Sequence, residues 1–240
     1  MSTRRLFLVG GFELRVGHEA VELPAASQRV LAFLALQDRK VNRSQVAGNL
    51  WPEATEARAA ANLRSALWRL RQPDIVVGSG SSHLMLHADT WVDVRVTTAL
   101  AVQLIAEPAD RDVVVATDPR TFAGELLPDM WDAWLVVERE RVRQLHLHAL
   151  ERLCELLVDR GRHAQAVMAG IGAVEMDPLR ESANRVLIRA HLAEGNRVEA
   201  IRQFDAFRRL LHDELGLLPS AELIRLVGDA DVTPPHTPVR

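Results

Sequence analysis

The chain has 240 residues, 48% hydrophobic and 25% charged, with a formal net charge of −3. That length suits one large domain or two modest ones, and the composition is that of a soluble globular protein. No apolar run approaches the ~18 residues of a membrane span. The first 15 residues lack the long apolar run and small-residue cleavage site of a signal peptide, and a single cysteine, Cys154, excludes an intramolecular disulfide. A cytoplasmic protein without membrane contact is expected. The charge is uneven: residues 1–90 hold 11 Arg and Lys against 8 Asp and Glu, residues 91–240 hold 18 against 24. A mildly basic front and an acidic rear point to nucleic acid at one end and another partner at the other.

In chain order, Arg5–Leu23 alternates apolar and polar residues around Gly-Gly and Gly17-His18 breaks, which predicts a small antiparallel sheet. Pro24 opens a mostly buried helix ending at Gln37, with Val30, Leu31, Phe33, Leu34 and Leu36 inside. Asn42-Arg43-Ser44-Gln45 has the form of a capping box. The short helix after it stops at Trp51-Pro52, and its N-terminal N–H groups beside Arg43 and Ser44 make a ready phosphate anchor. An acidic loop, Pro52–Ala57, leads to Arg58–Gln72.

That stretch, RAAANLRSALWRLRQ, places Leu63, Leu67 and Leu70 on one buried helical stripe. Around the stripe sit Arg58, Asn62, Arg64, Ser65, Arg69 and Arg71, with Trp68 leaning outward. Guanidinium groups on an otherwise small or apolar helix suit phosphate oxygens and the guanine edge. Asp74–His87 follows as two apolar runs around a Gly-Ser turn, a hairpin signal, and a helix followed by a hairpin is the order of a winged helix. On this window alone, an ordinary surface helix with solvated arginines stays open.

From Trp91 the reading is helix after helix: Val92–Ala106, ended by Pro108, then an unplaced apolar stretch at Asp112–Asp118. A long helix over Pro128–Asp159 carries Trp131, Trp134, Leu135, Val142, Leu145 and Leu150 inward and Glu138 to Arg141 with Arg143 on the wet side. Gly161 and Gly195 are 34 residues apart, and the same offset pairs Leu153 with Leu187, Ala166 with Ala200 and Ala173 with Phe207. Thirty-four is the tetratricopeptide period. Gly170 stands where that repeat carries an aromatic, so the first copy is degenerate. The expected division is a winged helix at 1–89, a helical domain at 91–230 and a disordered Pro-rich tail at 231–240. The fold class is mainly α with a small β component.

Taken together, these features resemble the SARP-type, AfsR-like activators of actinobacteria. The residues that carry the resemblance are Leu50-Trp51-Pro52, Ala61 through Arg71, Trp134 through Arg141, Asp177-Pro178-Leu179-Arg180-Glu181, Glu194-Gly195-Asn196 with Glu199-Ala200, and Glu214-Leu215-Gly216 with Pro219. The resemblance covers residues 4–228. It implies an OmpR-like winged helix joined to a bacterial transcriptional activator domain, with Arg58–Gln72 as the recognition helix. Arg64, Ser65, Trp68 and Arg69 would face bases or phosphates, Arg71 the backbone, and Arg43 and Ser44 a phosphate at the second helix. It implies double-stranded DNA as partner, a homodimer on repeated promoter sites, and RNA polymerase contact through the Pro52–Ala57 loop. The family tends to place an arginine in the wing, where this chain has His83 within Ser81-Ser82-His83-Leu84. No Walker motif is present in the sequence.

An enzyme reading finds little support. His146 and His148 are two apart on a helix and point to different sides, and His83 and His87 share a strand face with no Cys nearby. Asp129 and Asp132 suit capping, Cys154 a buried hydrophobe, and Met168 and Met176 core filling. No metal or cofactor is implied. The alternative to a DNA-binding activator is a protein-binding helical-repeat adaptor whose winged helix has weak or no DNA affinity.

Overall fold

The computed structural model describes residues 3–70, 75–79 and 82–232, the side chains of 79 and 229–232 aside. The fold is mainly α with a small β component, and the chain divides into two compact units. One comprises residues 1–99 with 124–143, the other 100–123 with 144–240.

The first unit opens with an antiparallel meander, β1 (Arg4–Phe7), β2 (Glu13–Val16) and β3 (Glu19–Ala20). Three helices follow: α1 (Ala25–Gln37), α2 (Arg43–Leu50) and α3 (Glu56–Arg69). The short β4 (Val41–Asn42) precedes α2 and pairs with β6 (His83–Leu86), which pairs in turn with β5 (Val76–Ser79) to form the wing. Leu31 and Leu34 of α1, Val46 and Leu50 of α2, Leu63 of α3 and Leu84 and Leu86 of the wing are buried in one core. Ser27 is buried because its hydroxyl has a partner: Oγ donates to the Ala66 carbonyl at 2.8 Å, tying α1 to α3.

The front unit contains more than residues 1–89. Thr90–Val92 is a strand, β7, parallel to β1 with Leu6 opposite Val92, where the sequence suggested a helical region from Trp91. Thr90 and Val92 point inward and Trp91 outward, where its ring meets Phe7 at 5.3 Å. α4 (Asp93–Ile105) begins with a carboxylate that accepts from the Leu8 N–H at 2.9 Å and the Val9 N–H at 2.9 Å. Burial pushes the Asp93 carboxyl above its ordinary value, against those hydrogen bonds.

Residues 124–143 then return to this unit, burying Leu126, Leu127 and Leu135 in its core. The Leu127 N–H donates to the Leu8 carbonyl at 2.8 Å and the Gly10 N–H to the Glu125 carbonyl at 2.8 Å. Arg29 of α1 donates to both the Asp132 carboxylate and the Leu50 carbonyl. Arg139 donates to the carbonyls of Leu126, Leu127 and Met130 at 2.7–2.9 Å. Two sequence expectations change here. Arg139 faces the returning loop and not solvent, because three carbonyls of that loop accept its N–H groups. Trp131 precedes α6 (Ala133–Asp159) and is 89% exposed, so it takes no part in a buried stripe.

The second unit holds α5 (Arg111–Ala116), a 3₁₀ turn at Pro119–Phe122, the later half of α6, α7 (His163–Met176), α8 (Glu181–Glu194), α9 (Arg197–Leu215) and α10 (Ala221–Val232). The 34-residue offset is a structural repeat: all three residue pairs it aligns are buried, and Gly161 and Gly195 both take positive φ, 68° and 86°, after a helix. Gly170 allows α7 and α8 to touch, since a Cβ there would lie 3.0 Å from Leu187 Cα. α10 runs through Val232, so Asp231 and Val232 are helical and not part of a disordered tail; 233–240 lie outside the described residues.

Candidate nucleic-acid interface

Helix α3 is built by an amphipathic division. Ala59, Leu63, Ala66 and Leu70 are buried, Leu67 is half-buried, and Arg58, Arg64, Ser65, Trp68 and Arg69 are exposed; Asn62 is half-buried. Its buried stripe is thus narrower in bulk than Leu63, Leu67 and Leu70 alone suggest, and the two alanines let α3 pack closely. The helix starts at Glu56 and ends at Arg69, two residues before and three before the sequence-read limits. Arg71 lies outside the described residues, as do 72–74 and the wing tip at 80 and 81.

Among the described residues, Arg58, Arg64 and Arg69 form no ion pair. In the second unit, by contrast, Arg152, Arg180, Arg185, Arg202 and Arg208 all contact carboxylates. A guanidinium without an internal carboxylate keeps its full charge and five donors for an external anion. At about 1.5 Å per residue, Arg58 and Arg69 stand roughly 16 Å apart along the helix, the two arginines lying near one flank and Arg64 near the other.

The second helix meets the wing beside this surface. Asn42 caps α2, its Oδ1 accepting from the Ser44 N–H at 2.9 Å and from Ser44 Oγ at 2.7 Å. One of the N–H groups expected to be free for phosphate is therefore already used by the cap. The Arg43 N–H donates to the Ser82 carbonyl at 2.8 Å, which locks the start of α2 to the wing, and Arg43 Nε is buried without an acceptor. In the wing, His83 is half-buried opposite Asn42 and Ser79, with Nδ1 2.8 Å from Ser82 Oγ. So α2 and the wing bring Arg43, Ser44 and His83 into one sheet-and-helix corner, and α3 carries Arg58, Asn62, Arg64, Ser65, Trp68 and Arg69.

The other chemistry-bearing residues have structural settings. His146 is buried against the Phe122 ring at 5.3 Å while His148 is exposed. Burial holds the His146 imidazole below its ordinary value, opposed by a hydrogen bond to the Phe122 backbone. Cys154 is buried, its Sγ donating to the Val186 carbonyl at 3.4 Å, and burial pushes its thiol up to about 12. Among the described residues, no three His, Cys, Asp or Glu side chains are grouped to hold a metal, and no helix is long and apolar enough to cross a membrane.

A family model described as "Bacterial transcriptional activator domain" matches residues 92–229, more than half of the chain. The chain belongs to that family. Within it, this bacterial transcriptional activator domain protein is similar to the AfsR regulators: 26% identical over 236 residues to "Regulatory protein AfsR" of Streptomyces griseus, covering 92% of this chain and 24% of that protein. To the Streptomyces coelicolor AfsR it is 28% identical over 219 residues, covering 87% and 22%. The chain thus spans about a quarter of the length of these curated relatives. Mycobacterium tuberculosis EmbR, solved in complex with a low affinity phosphopeptide, shares its fold with a TM-score of 0.76 at 20% identity over 95% of this chain and 65% of that one. The fold class is mainly α, a winged helix-turn-helix followed by a tetratricopeptide-like helical domain.

Proposed function

We propose that this chain is a DNA-binding transcriptional activator of the cytoplasm that docks α3 in the major groove of promoter DNA. The observation that carries the reading is the outward face of α3, where Arg58, Arg64 and Arg69 stand exposed and without ion pairs among the described residues. Arg43 and Ser44 at the start of α2 are the backbone anchors, with Asn62 and Ser65 as polar supports on α3 and His83 as the wing contact. Arg71, next in sequence after Leu70, adds a further phosphate contact in this reading. The α2–α3 loop, exposed at Pro52 and Glu53, is the surface offered to RNA polymerase, and two chains pair on direct repeats.

The test is fluorescence anisotropy on a duplex that the full chain selects from a randomised pool, repeated at several salt concentrations. Five arginine contacts to phosphate, from Arg43, Arg58, Arg64, Arg69 and Arg71, give a log–log slope between about −4 and −5. A chain that selects no duplex, or whose weak binding ignores salt, sinks the reading. The second reading, a protein-binding adaptor, draws on the exposed Leu215, Leu217, Leu218 and Ile224 in the second unit. It is favoured if DNA binding fails.

A further inference from the structure

The line of α3 that points straight away from the core carries no arginine. With about 100° between successive residues, the point opposite the buried Ala59, Leu63, Ala66 and Leu70 falls within roughly 10° of Ala61 and Trp68. Ala57 lies about 30° away on the same count. Arg64 stands roughly 50° to one side, and Arg58 and Arg69 roughly 70–90° to the other. All six are exposed, Trp68 at 79%.

A helix lying in the major groove turns its outermost line to the base edges and its flanks to the two phosphate walls. The cations here sit where the walls are. What lies nearest the bases is two methyl side chains and an indole, with the Ser65 hydroxyl roughly 50° to the side away from Arg64. Trp68 is held by no core contact of its own rank, yet it keeps a large apolar surface in water, and an indole buries on the order of 150–250 Å² when covered. In the major groove the apolar group on a base edge is the thymine C5-methyl. We infer that α3 reads sequence by apolar contact with thymine methyl groups, through Trp68, with Ala57 and Ala61 keeping the helix close to the groove floor. Arg58, Arg64 and Arg69 are phosphate clamps and not base readers. This inference rests on the DNA-binding reading above and specifies what that interface recognises.

The test uses the full chain and the duplex it selects from a randomised pool, resynthesised with deoxyuridine in place of thymine at one position at a time. Deoxyuridine removes the methyl and leaves every hydrogen-bonding group in place. One or two positions lose roughly three- to fivefold in affinity, the value of one buried methyl. W68A binds the thymine duplex more weakly and no longer distinguishes it from the deoxyuridine duplexes, while W68F retains part of the discrimination. Because Trp68 lies outside the core, truncation leaves the fold intact, and the deoxyuridine series on the unaltered chain stands without any variant. The inference is overturned if the unaltered chain binds all deoxyuridine duplexes as well as the thymine duplex, or if W68A keeps the full penalty. In both cases a salt-dependent affinity for the selected duplex leaves the DNA-binding reading in place. Failure to bind any duplex overturns both.

Discussion

Two glycines two residues apart on α7 should respond differently to the same substitution. Ala is favoured over Gly in a helix interior by about 1 kcal/mol, and that gain is common to G170A and G172A. At Gly172 the new methyl would meet only the Leu150 methyls, at 3.6 Å, an ordinary contact with the flexible end of a side chain. At Gly170 it would lie 3.0 Å from Leu187 Cα and Cβ, and a helix backbone cannot rotate out of the way. Relief requires α7 and α8 to part, which costs about 1–3 kcal/mol in a packed core. G172A should therefore raise stability by about 1 kcal/mol and G170A should fall about 1–3 kcal/mol below it. Urea unfolding of the full chain followed by circular dichroism measures both against the parent. At roughly 2–4 °C per kcal/mol for a chain of this size, thermal melts separate them as well. If the two alanines stabilise equally, α7 and α8 do not approach as closely as the structure places them, and the packing account of Gly170 fails.

A fragment ending at residue 89 should be far less stable than one ending at 143, because it lacks β7, Asp93 and the buried Leu126, Leu127 and Leu135; equal melting of the two would refute the extended front unit. R64A and R69A should each lower affinity for all duplexes and reduce the log–log salt slope by about one, while a loss confined to one base position would make that arginine a base reader. His146 titrates below its ordinary value of 6.5 in the folded chain, so the unfolded chain binds its proton more tightly. The stability it contributes is present above pH 6.5 and is lost as pH falls through the folded value, by at most about 1.4 kcal/mol per pH unit. H146Q should flatten that part of the profile between pH 7.5 and 5.5, and an unchanged slope would exclude His146 as its source. With its thiol pushed up to about 12, Cys154 should resist a thiol reagent in the folded chain and react on unfolding; rapid labelling of folded protein would contradict its burial.

What the sequence reveals and what it hides divide along the range of the interactions. The α3 stripe, the Asn42 cap and the 34-residue offset are local or periodic, so Leu63, Leu70, Gly161 and Gly195 announce themselves. The wing is visible for the same reason, as two apolar runs around a turn. β7 escapes because three residues, Thr90–Val92, make too short an alternation to outweigh the helical pattern that follows at once. The return of 124–143 escapes because its anchors are distant: Arg29 and Asp132 are separated by 103 residues, and neither has a pattern that names the other. Arg139 sits in a run of charges and reads as solvated until the loop carbonyls around it are known. Gly170 reads as a defect in the repeat, whereas it is the residue that allows the close α7–α8 contact. On the interface, the arginines were legible as residue types, but their place on the flanks depends on Ala59 and Ala66 being buried, which alanine alone does not signal.

The interleaving of the two units has a consequence for how the protein is made. Residues 100–123 belong to the second unit, yet they leave the ribosome before residues 124–143, which close the first. Synthesis runs from the N-terminus at roughly 5–20 residues per second, so for some seconds α3 exists on a scaffold that lacks its last core residues. A chain released before residue 124 holds that helix on a core without Leu126, Leu127 and Leu135 and is correspondingly less stable. Under the proposed DNA-binding reading such products would compete poorly for a promoter, so effective binding requires synthesis to have advanced well into the second half of the chain.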